Sequence, residues 1–566
     1  MGHCYTDEIN TLILVSLLKE HNIRKIIASP GTTNISFVGS VQNDSYFDVY
    51  SAVDERAAAF MACGLAEESG EPVVLTCTGA TASRNYIPGL TEAYSRHLPV
   101  LAVTSTQHTG RVGNYVAQVI DRSSCFSDMI KKSIQLSTVH STEDKQDTIT
   151  RVNDVLLELT YHECGPCHIN LCTTYSKNFT VQELPKYRKI SRITKVNFPS
   201  LPKGKIAVFV GAHQEFTIEE TNAIDAFCSS NNAIVICDHI SNYRGEFRFL
   251  ASFANSQDMD MGFKKFEVII YIGYVHGTYI SFSAKQLWRV NPDGVIRDPY
   301  RNLTYVFEMS EKDFFEHYTT ENQDSTLIKQ CNLLNSDLFI RIPELPFSNM
   351  WVAKETAHLI PENSILHLSI LNTLRVWNYF ETPKSVLCFS NSGGYGIDGC
   401  LSSFLGSAIA NLKKEHYMII GDLSFFYDLN TIINTIPNNM HILLINNGVG
   451  TEFKNFNHKA ADFGEEANNF IAAKGHNGFK NPNLVKGLCK ELGIKYFSAR
   501  TKEEYQKKRD CWLEIGIGPI ILEVFTNDKD ESDALRLMNT IIQDTSLIEI
   551  LRRSVFCKIA RKVIRR

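Results

Sequence analysis

Two short stretches carry side chains suited to holding a cation and a phosphate. Gly421-Asp422-Leu423-Ser424 follows the apolar run Tyr417 to Ile420, and Asn446-Asn447-Gly448 follows the apolar run Ile442 to Ile445. Read as strand, sharp turn, helix from about Ser424 and second strand, the stretch His416 to Phe453 is a βαβ unit. Both strand ends then lie on one edge of a parallel sheet, where open α/β sheets bind ligands. Asp422 and Asn447 would project oxygens from neighbouring strands, and such hard donors with little protein charge suit Mg²⁺, which keeps water and phosphate oxygens in its other positions. The helix start at Leu423-Ser424 offers N–H groups to an anion. Together these residues describe a magnesium diphosphate site.

The elements that must position such a site recur along the chain. Ile9 to Glu20 reads as a helix opened by Thr6-Asp7-Glu8, and Ile23 to Ala28, Phe47 to Val53, Val73 to Cys77 and Pro99 to Thr104 read as strands. Ser29-Pro30-Gly31-Thr32-Thr33 and Thr78-Gly79-Ala80-Thr81 lead into helices, and Asp54 caps an Ala-rich helix from Glu55 to Glu68. This alternation predicts an α/β fold with doubly wound parallel sheets. After a basic, Pro-spaced linker (Lys186 to Lys205) come further strands at Ile206 to Val210, Ala233 to Cys237 and Val268 to Ile272. Gly211 and Gly273 build no dinucleotide fingerprint there, so this part reads as a Rossmann-like spacer. The expected domains are 1–185, 190–345 and 346–545, followed by a basic C-terminal helix, 546–566.

Composition bounds the classes. The 566 residues are 44% hydrophobic and 21% charged, with a formal net charge of −5, the profile of a globular enzyme with no footprint for nucleic acid. No apolar run is long enough for a membrane helix. Fifteen cysteines without a framework spacing read as reduced thiols and point to the cytoplasm. Glu55 stands out: its neighbours Val53, Ala57, Ala58, Ala59 and Phe60 are apolar, which predicts a desolvated carboxyl with a raised pKa.

The Gly421-Asp422 and Asn446-Asn447 pair resembles the GD…NN motif of the thiamine-diphosphate enzymes, and several further stretches extend that likeness over about residues 5 to 540. The resemblance implies three Rossmann-like domains (pyrimidine, central and diphosphate) and the cofactors thiamine diphosphate and Mg²⁺. It implies metal ligation by Asp422, Asn447 and the Val449 carbonyl, with Gly421, Leu423 and Ser424 beside the diphosphate. SAVDERAAAFMACGLA resembles the family's pyrimidine helix, which makes Glu55 the residue that protonates N1′ of the aminopyrimidine. The loop Ser390-Asn391-Ser392-Gly393-Gly394-Tyr395-Gly396-Ile397-Asp398-Gly399 resembles the SNRGASGIDG loop of SEPHCHC synthases, a branch of the family. There Ile397 would be the wedge that bends the cofactor. Gly79, Asn85 and Gly394 are implied at the cofactor, and Gln118 near the donor as a second catalytic group. The implied activity is decarboxylation of a 2-oxo acid donor, with the acyl-anion (enamine) passed to an acceptor. A simple decarboxylase and a catalytically silent subunit or scaffold are the alternatives. The implied assembly is a homodimer or homotetramer with active sites shared between subunits.

The departures concern substrate. Where SEPHCHC synthases have carboxylate-binding arginines, this chain has Thr33 (after Thr32), Gln107 and Ser392, and hydroxyls and amides lack a bidentate cationic clamp. Arg375 lies two residues out of register with another. Glu452 and Phe453, past the metal loop, fall at substrate positions, and Thr451 to His476 reads as a lid. The expected enzyme is therefore not SEPHCHC synthase itself but a relative with a less anionic substrate pair.

Three other motifs read as structural. Met1 to Thr6 fits a loose myristoylation pattern but more simply starts the first helix. Cys164-Gly165-Pro166-Cys167-His168 fits redox and haem patterns, yet it precedes a β-type run, Cys167 to Leu171, that resembles the family's closing strand. The basic tail, Leu547 to Arg566, suits an anionic membrane surface or, more simply, a solvated or packed helix.

Overall fold

The computed structural model describes residues 4–257, 264–278, 280–434 and 436–542. The myristoylation-like start at Gly2 and the basic tail from Leu547 lie outside the described residues. By compactness the chain falls into two units, Met1–Phe198 with Asp293–Glu308, and Pro199–Pro292 with Met309–Arg566. Three parallel sheets with flanking helices run through them, the predicted architecture.

The first sheet contains β1 (Lys25–Ala28), β2 (Asp48–Ser51), β3 (Val73–Cys77), β4 (Val100–Thr106), β5 (Lys132–Leu136) and β6 (Cys167–Cys172) in the order β2-β1-β3-β4-β6-β5. Alternation along each strand feeds two cores. Ile26, Val74, Leu101 and Val103 face the helices Ile9–Glu20 and Thr142–Glu158, while Ile27, Val73, Leu75 and Ala102 join Ala58, Ala59 and Ala62 of the helix Glu55–Ser69. Burying apolar side chains on both faces is what a parallel sheet requires. Asp54 caps that helix as predicted, accepting from the N–H groups of Arg56 and Ala57. Glu8 does not cap the first helix with its side chain. It accepts instead from Thr173, Thr174 and Ser176, fixing the chain beyond β6.

The basic linker carries a strand of its own, β7 (Ser191–Ile193), steadied by Arg188 on the buried Asp298 at 2.9 Å. In the second unit β8 (Ile206–Val210), β9 (Ile234–Cys237), β10 (Arg248–Leu250), β11 (Lys265–Ile272) and β12 (Ser283–Val290) are ordered β10-β9-β8-β11-β12. In the first unit β13 (Leu303–Phe307) pairs in parallel with β7. The carboxyl edge of the central sheet is filled by protein. A Cβ on Gly211 would lie 1.9 Å from the Tyr274 carbonyl oxygen, and Gly273, at φ +75°, packs back on Ala212. Asp238 at the end of β9 accepts from the Gly277 N–H and from Ser241. The two glycines serve close backbone packing, as expected of a spacer.

The third sheet has β14 (Ile365–Leu368), β15 (Leu387–Phe389), β16 (His416–Gly421), β17 (Met440–Asn446), β18 (Lys495–Ala499) and β19 (Ile520–Phe525), ordered β15-β14-β16-β17-β19-β18. Counted within each sheet, this is the order of the first sheet again. The predicted helix after β16 is short, Asp422–Tyr427, and passes into a 3₁₀ segment, Leu429–Ile433.

Gly211→Ala is expected to lower thermal stability, by about 1–3 kcal/mol for a forced backbone shift. Gly487→Ala, in the helix Leu484–Leu492 with open space where its Cβ would stand, is expected to raise it by about 0.5–1 kcal/mol. Paired thermal melts check both signs.

Candidate active site

Asp422 stands at the end of β16, 2% exposed. Its Oδ1 accepts from the Leu423 N–H at 2.7 Å, and its Oδ2 accepts from the Gly448 N–H at 2.6 Å. The Leu423 N–H is thus spent on Asp422 and not offered to a diphosphate, and the following helix is too short to add an anion site of its own. His476 Nε2 lies 3.0 Å from the same Oδ2. Because the Phe479 N–H donates to His476 Nδ1, the imidazole keeps its proton on Nε2 and donates it to Asp422.

The paired asparagines divide their work by facing opposite sides of the strand end. Asn446, fully buried, donates to Glu523 Oε1 at 2.6 Å. Asn447 turns to the cavity, where its Oδ1 accepts from the Val449 N–H at 3.3 Å. A cavity of about 520 Å³ brings Asp422, Asn447, Val449, Gly421, Leu423 and Ser424 together with Ile397, Glu452 and Phe453. Ile397 is fixed there by its carbonyl, which accepts from Ser424 Oγ at 2.6 Å. Gly394 and Gly421 have no protein atom within reach of an added Cβ, so the backbone there is open to a ligand. Ser392 is buried away from this cavity.

The first unit places its predicted residues in the segments that follow β1, β2, β3 and β4. Gly79 lies against the backbone of Gln118, whose carbonyl oxygen would be 2.6 Å from an added Cβ. Gln118 is exposed in a left-handed turn at φ +65°, not on a helix. Thr33 is buried: its hydroxyl pairs with that of Thr78 at 2.7 Å and donates to the Ser105 carbonyl at 3.0 Å. Thr32 and Asn85 are exposed, and Gln107 accepts from Arg111. Glu55 is half-buried beside an open apolar face: Val53 is 79% and Phe60 46% exposed, and Ala57 is exposed too. The expected desolvated junction is therefore not made by these neighbours within the chain.

Three residues outside the expected site set take part. His476, a possible polar contact at the end of the expected lid, is one. Arg122, 3% exposed, donates to the carbonyls of Ser105 at 2.9 Å and Thr78 at 3.4 Å, beside the positions where arginines are missing. Glu531, in the wall of the 520 Å³ cavity, accepts from the Asn349 N–H and Thr526 Oγ1. Burial pushes its carboxyl up to about 7 against the pull of those hydrogen bonds. No local motif marks any of the three. The expected lid is closed down as short helical turns, Thr451–Lys454 and Lys459–Glu466, tied by the Gly450 N–H to Ala472 and the Gly475 N–H to Gly448. In the CxxC stretch Cys167 is buried in β6, and burial pushes its thiol up to about 12. His168 is enclosed between Thr104 and Ser133.

The donor set at Asp422 fits a hard cation: one buried carboxylate, one side-chain amide oxygen and one carbonyl. Among the described residues no cluster of three His, Cys, Asp or Glu side chains is built for a metal, and the set here uses only one such group. Among the described residues, too, no helix is long and apolar enough to cross a membrane. The family model described as thiamine pyrophosphate enzyme, N-terminal TPP binding domain, matches residues 11–125. The chain is 29% identical to 2-succinyl-5-enolpyruvyl-6-hydroxy-3-cyclohexene-1-carboxylate synthase of Phocaeicola vulgatus, over 94% of this chain and 98% of that protein. It is 28% identical to the synthase of that name from Bacteroides fragilis, with the same coverage. To the one from Desulfotalea psychrophila it is 24% identical, over 90% and 96%.

Glu531 gives a prediction with a definite sign. Its folded pKa lies above that of an unfolded glutamate, so its contribution is fully present below the unfolded value and is lost as pH rises through about 7. The melting temperature of the wild type relative to Glu531→Gln should therefore fall between about pH 5 and about pH 8. A constant difference across that range overturns the assignment.

Proposed function

We propose that this chain, an enzyme and a relative of the thiamine-diphosphate-dependent enzymes over nearly its whole length, is a Mg²⁺-dependent 2-oxo acid decarboxylase and carboligase. When bound, thiamine diphosphate supplies an electron sink for loss of CO₂ and a carbon nucleophile for an acceptor. Asp422, Asn447 and the Val449 carbonyl would hold Mg²⁺, while the open backbone at Gly421 and Gly394 leaves room for the diphosphate. Ile397 would set the bend of the cofactor from the cavity wall. Glu55 would hold the proton at N1′ of the pyrimidine, and Gln118, beside Gly79, would orient the donor. The observation that carries this reading is the meeting of Asp422, Asn447, Val449 and Ile397 around one cavity.

A second copy of the chain completes the proposal. Val53, Phe60 and Met61 leave an apolar face around Glu55 (79%, 46% and 42% exposed), and covering it in a homodimer or homotetramer would supply the desolvation this carboxyl needs. We retain the division at 185/190 and 345/346 as that of the pyrimidine, central and diphosphate domains. The free state of every described cysteine supports work in the cytoplasm.

The substrate pair is read as less anionic than that of the named relatives, because the hydroxyl of Thr33 and the amide of Gln107 are engaged within the protein. Thr32, exposed on the preceding turn, and Phe453, in the cavity wall, are its neutral contacts. Calorimetry should show Mg²⁺-dependent binding of thiamine diphosphate, and Asp422→Ala should weaken it by about tenfold or more. Glu55→Gln should abolish exchange of the cofactor's C2 proton while leaving binding largely intact. A screen of 2-oxo acids for CO₂ release, with aldehydes and ketones as acceptors, identifies the donor. Wild-type protein that binds no thiamine diphosphate, or makes SEPHCHC at a physiological rate, overturns the corresponding part.

A further inference from the structure

Among the described residues the wall of the 520 Å³ cavity contains one guanidinium, that of Arg375, on the helix Asn372–Trp377 that follows β14. Opposite it, Glu452 stands in the turn Thr451–Lys454, just past the metal loop. Arg375 Nη1 donates to Glu452 Oε1. The other carboxylate oxygen is also held once the Asn372 amide is oriented by its surroundings. Its nitrogen then donates to Glu452 Oε2 at 2.7 Å, and its oxygen accepts from the Glu452 N–H and from Thr451 Oγ1, both at 2.7 Å. Arg375 and Glu452 are 23% and 20% exposed, so neither is freely solvated. The cavity wall also carries the carboxyls of Asp422 and Glu531.

We propose that Glu452 is a built-in carboxylate that occupies Arg375 and thereby restricts this cavity to 2-oxo acids whose side chains carry no charge. The proposal rests on the reading of the cavity as a substrate site. A pair of this exposure adds little stability; what matters is the exchange an incoming anion must make. A second carboxylate reaching Arg375 must share the guanidinium with Glu452 or displace it, and either way two carboxylates then stand partly desolvated beside two further acidic groups. Removing one partner of such a pair is costly because the other charge is stranded. An uncharged side chain meets no such exchange and finds amide and hydroxyl groups from Asn255, Ser256, Thr278 and Asn539 in the same wall. Glu452 thus acts as a specificity residue, and Arg375 is held ready but filled.

The test uses the full chain and two unreactive probes, glutarate for a dicarboxylate and butyrate for a monocarboxylate, titrated by calorimetry with Mg²⁺ and thiamine diphosphate present. Glu452→Gln is expected to bind glutarate at least about tenfold more tightly than wild type, with butyrate unchanged. Arg375→Met combined with Glu452→Gln should erase the gain. Glu452→Ala, with melting curves for every variant, serves if the glutamine keeps the hydrogen bonds of the carboxylate. Equal glutarate binding by wild type and both single variants, or a gain that survives loss of Arg375, overturns the proposal. Repeated without Mg²⁺ and thiamine diphosphate, the titration reads the same exchange, so a protein that ignores thiamine diphosphate yet gains glutarate binding would sink the functional reading and leave the exchange at Arg375 standing.

Discussion

One carboxylate ties the diphosphate-side architecture together. Asp422 receives the Leu423 N–H from its own turn, the Gly448 N–H from the loop after β17 and the Nε2–H of His476 from the segment that covers both. Three pieces of chain, far apart in sequence, are indexed to two oxygen atoms. A buried carboxylate is tolerated only when its lone pairs are matched, so the three must stay in register for the site to exist. The same arrangement leaves the carboxylate oriented towards a cavity whose other donors are the Asn447 amide oxygen and a loop carbonyl, where a hard cation would supply the remaining positive charge.

The two outer sheets share one strand order, 2-1-3-4-6-5, and use it differently. In the third sheet the ends of the third and fourth strands carry Asp422 and Asn447, polar groups turned to a cavity. In the first sheet the equivalent ends carry Thr78-Gly79 and Gln107, where Thr33 and Arg122 satisfy carbonyls and the glycine admits the Gln118 backbone. A parallel sheet generates the same edge whichever residues it ends in; the chemistry is set by which strand ends turn an oxygen to a cavity. The central sheet makes the contrast plain, because its corresponding edge is closed by Gly211 against Tyr274 and by Asp238 against Gly277.

Legibility in the sequence follows how local each feature is. Ile206–Val210 is apolar throughout and Val73–Cys77 but for Thr76, and both have the expected bounds. β19 was not assigned, because Glu523 interrupts its apolar run. The structure buries that glutamate under Asn446 and Tyr496, a partnership no window on the sequence contains. β14 is broken in the same way by His367, and β18 is an edge strand with half-exposed residues. At the site, Asp422, Asn447 and Ile397 were legible because each belongs to a short contiguous motif. His476 reaches Asp422 across 54 positions, and Glu531 reaches Asn349 across 182. Such partners are fixed by tertiary packing alone. The desolvation expected of Glu55 failed for a related reason: apolar neighbours on a helix exclude water only if something covers them.

Charge balance in the cavity follows from these same long-range contacts. The presence of an arginine, as at Arg122 or Arg375, does not by itself leave a cation open to an anion. What decides availability is the partner each has acquired. Arg122 gives one donor each to the Ser105 and Thr78 carbonyls, and Arg375 gives one to Glu452, a carboxylate brought to it by the turn after Gly448-Val449-Gly450. That turn continues the same chain that Gly448 anchors on Asp422. The geometry organised around Asp422 therefore also delivers the carboxylate that meets the arginine, so the position of Glu452 is coupled to that of Asp422. One loop thus sets both the Asp422 side and the Arg375 side of the cavity wall.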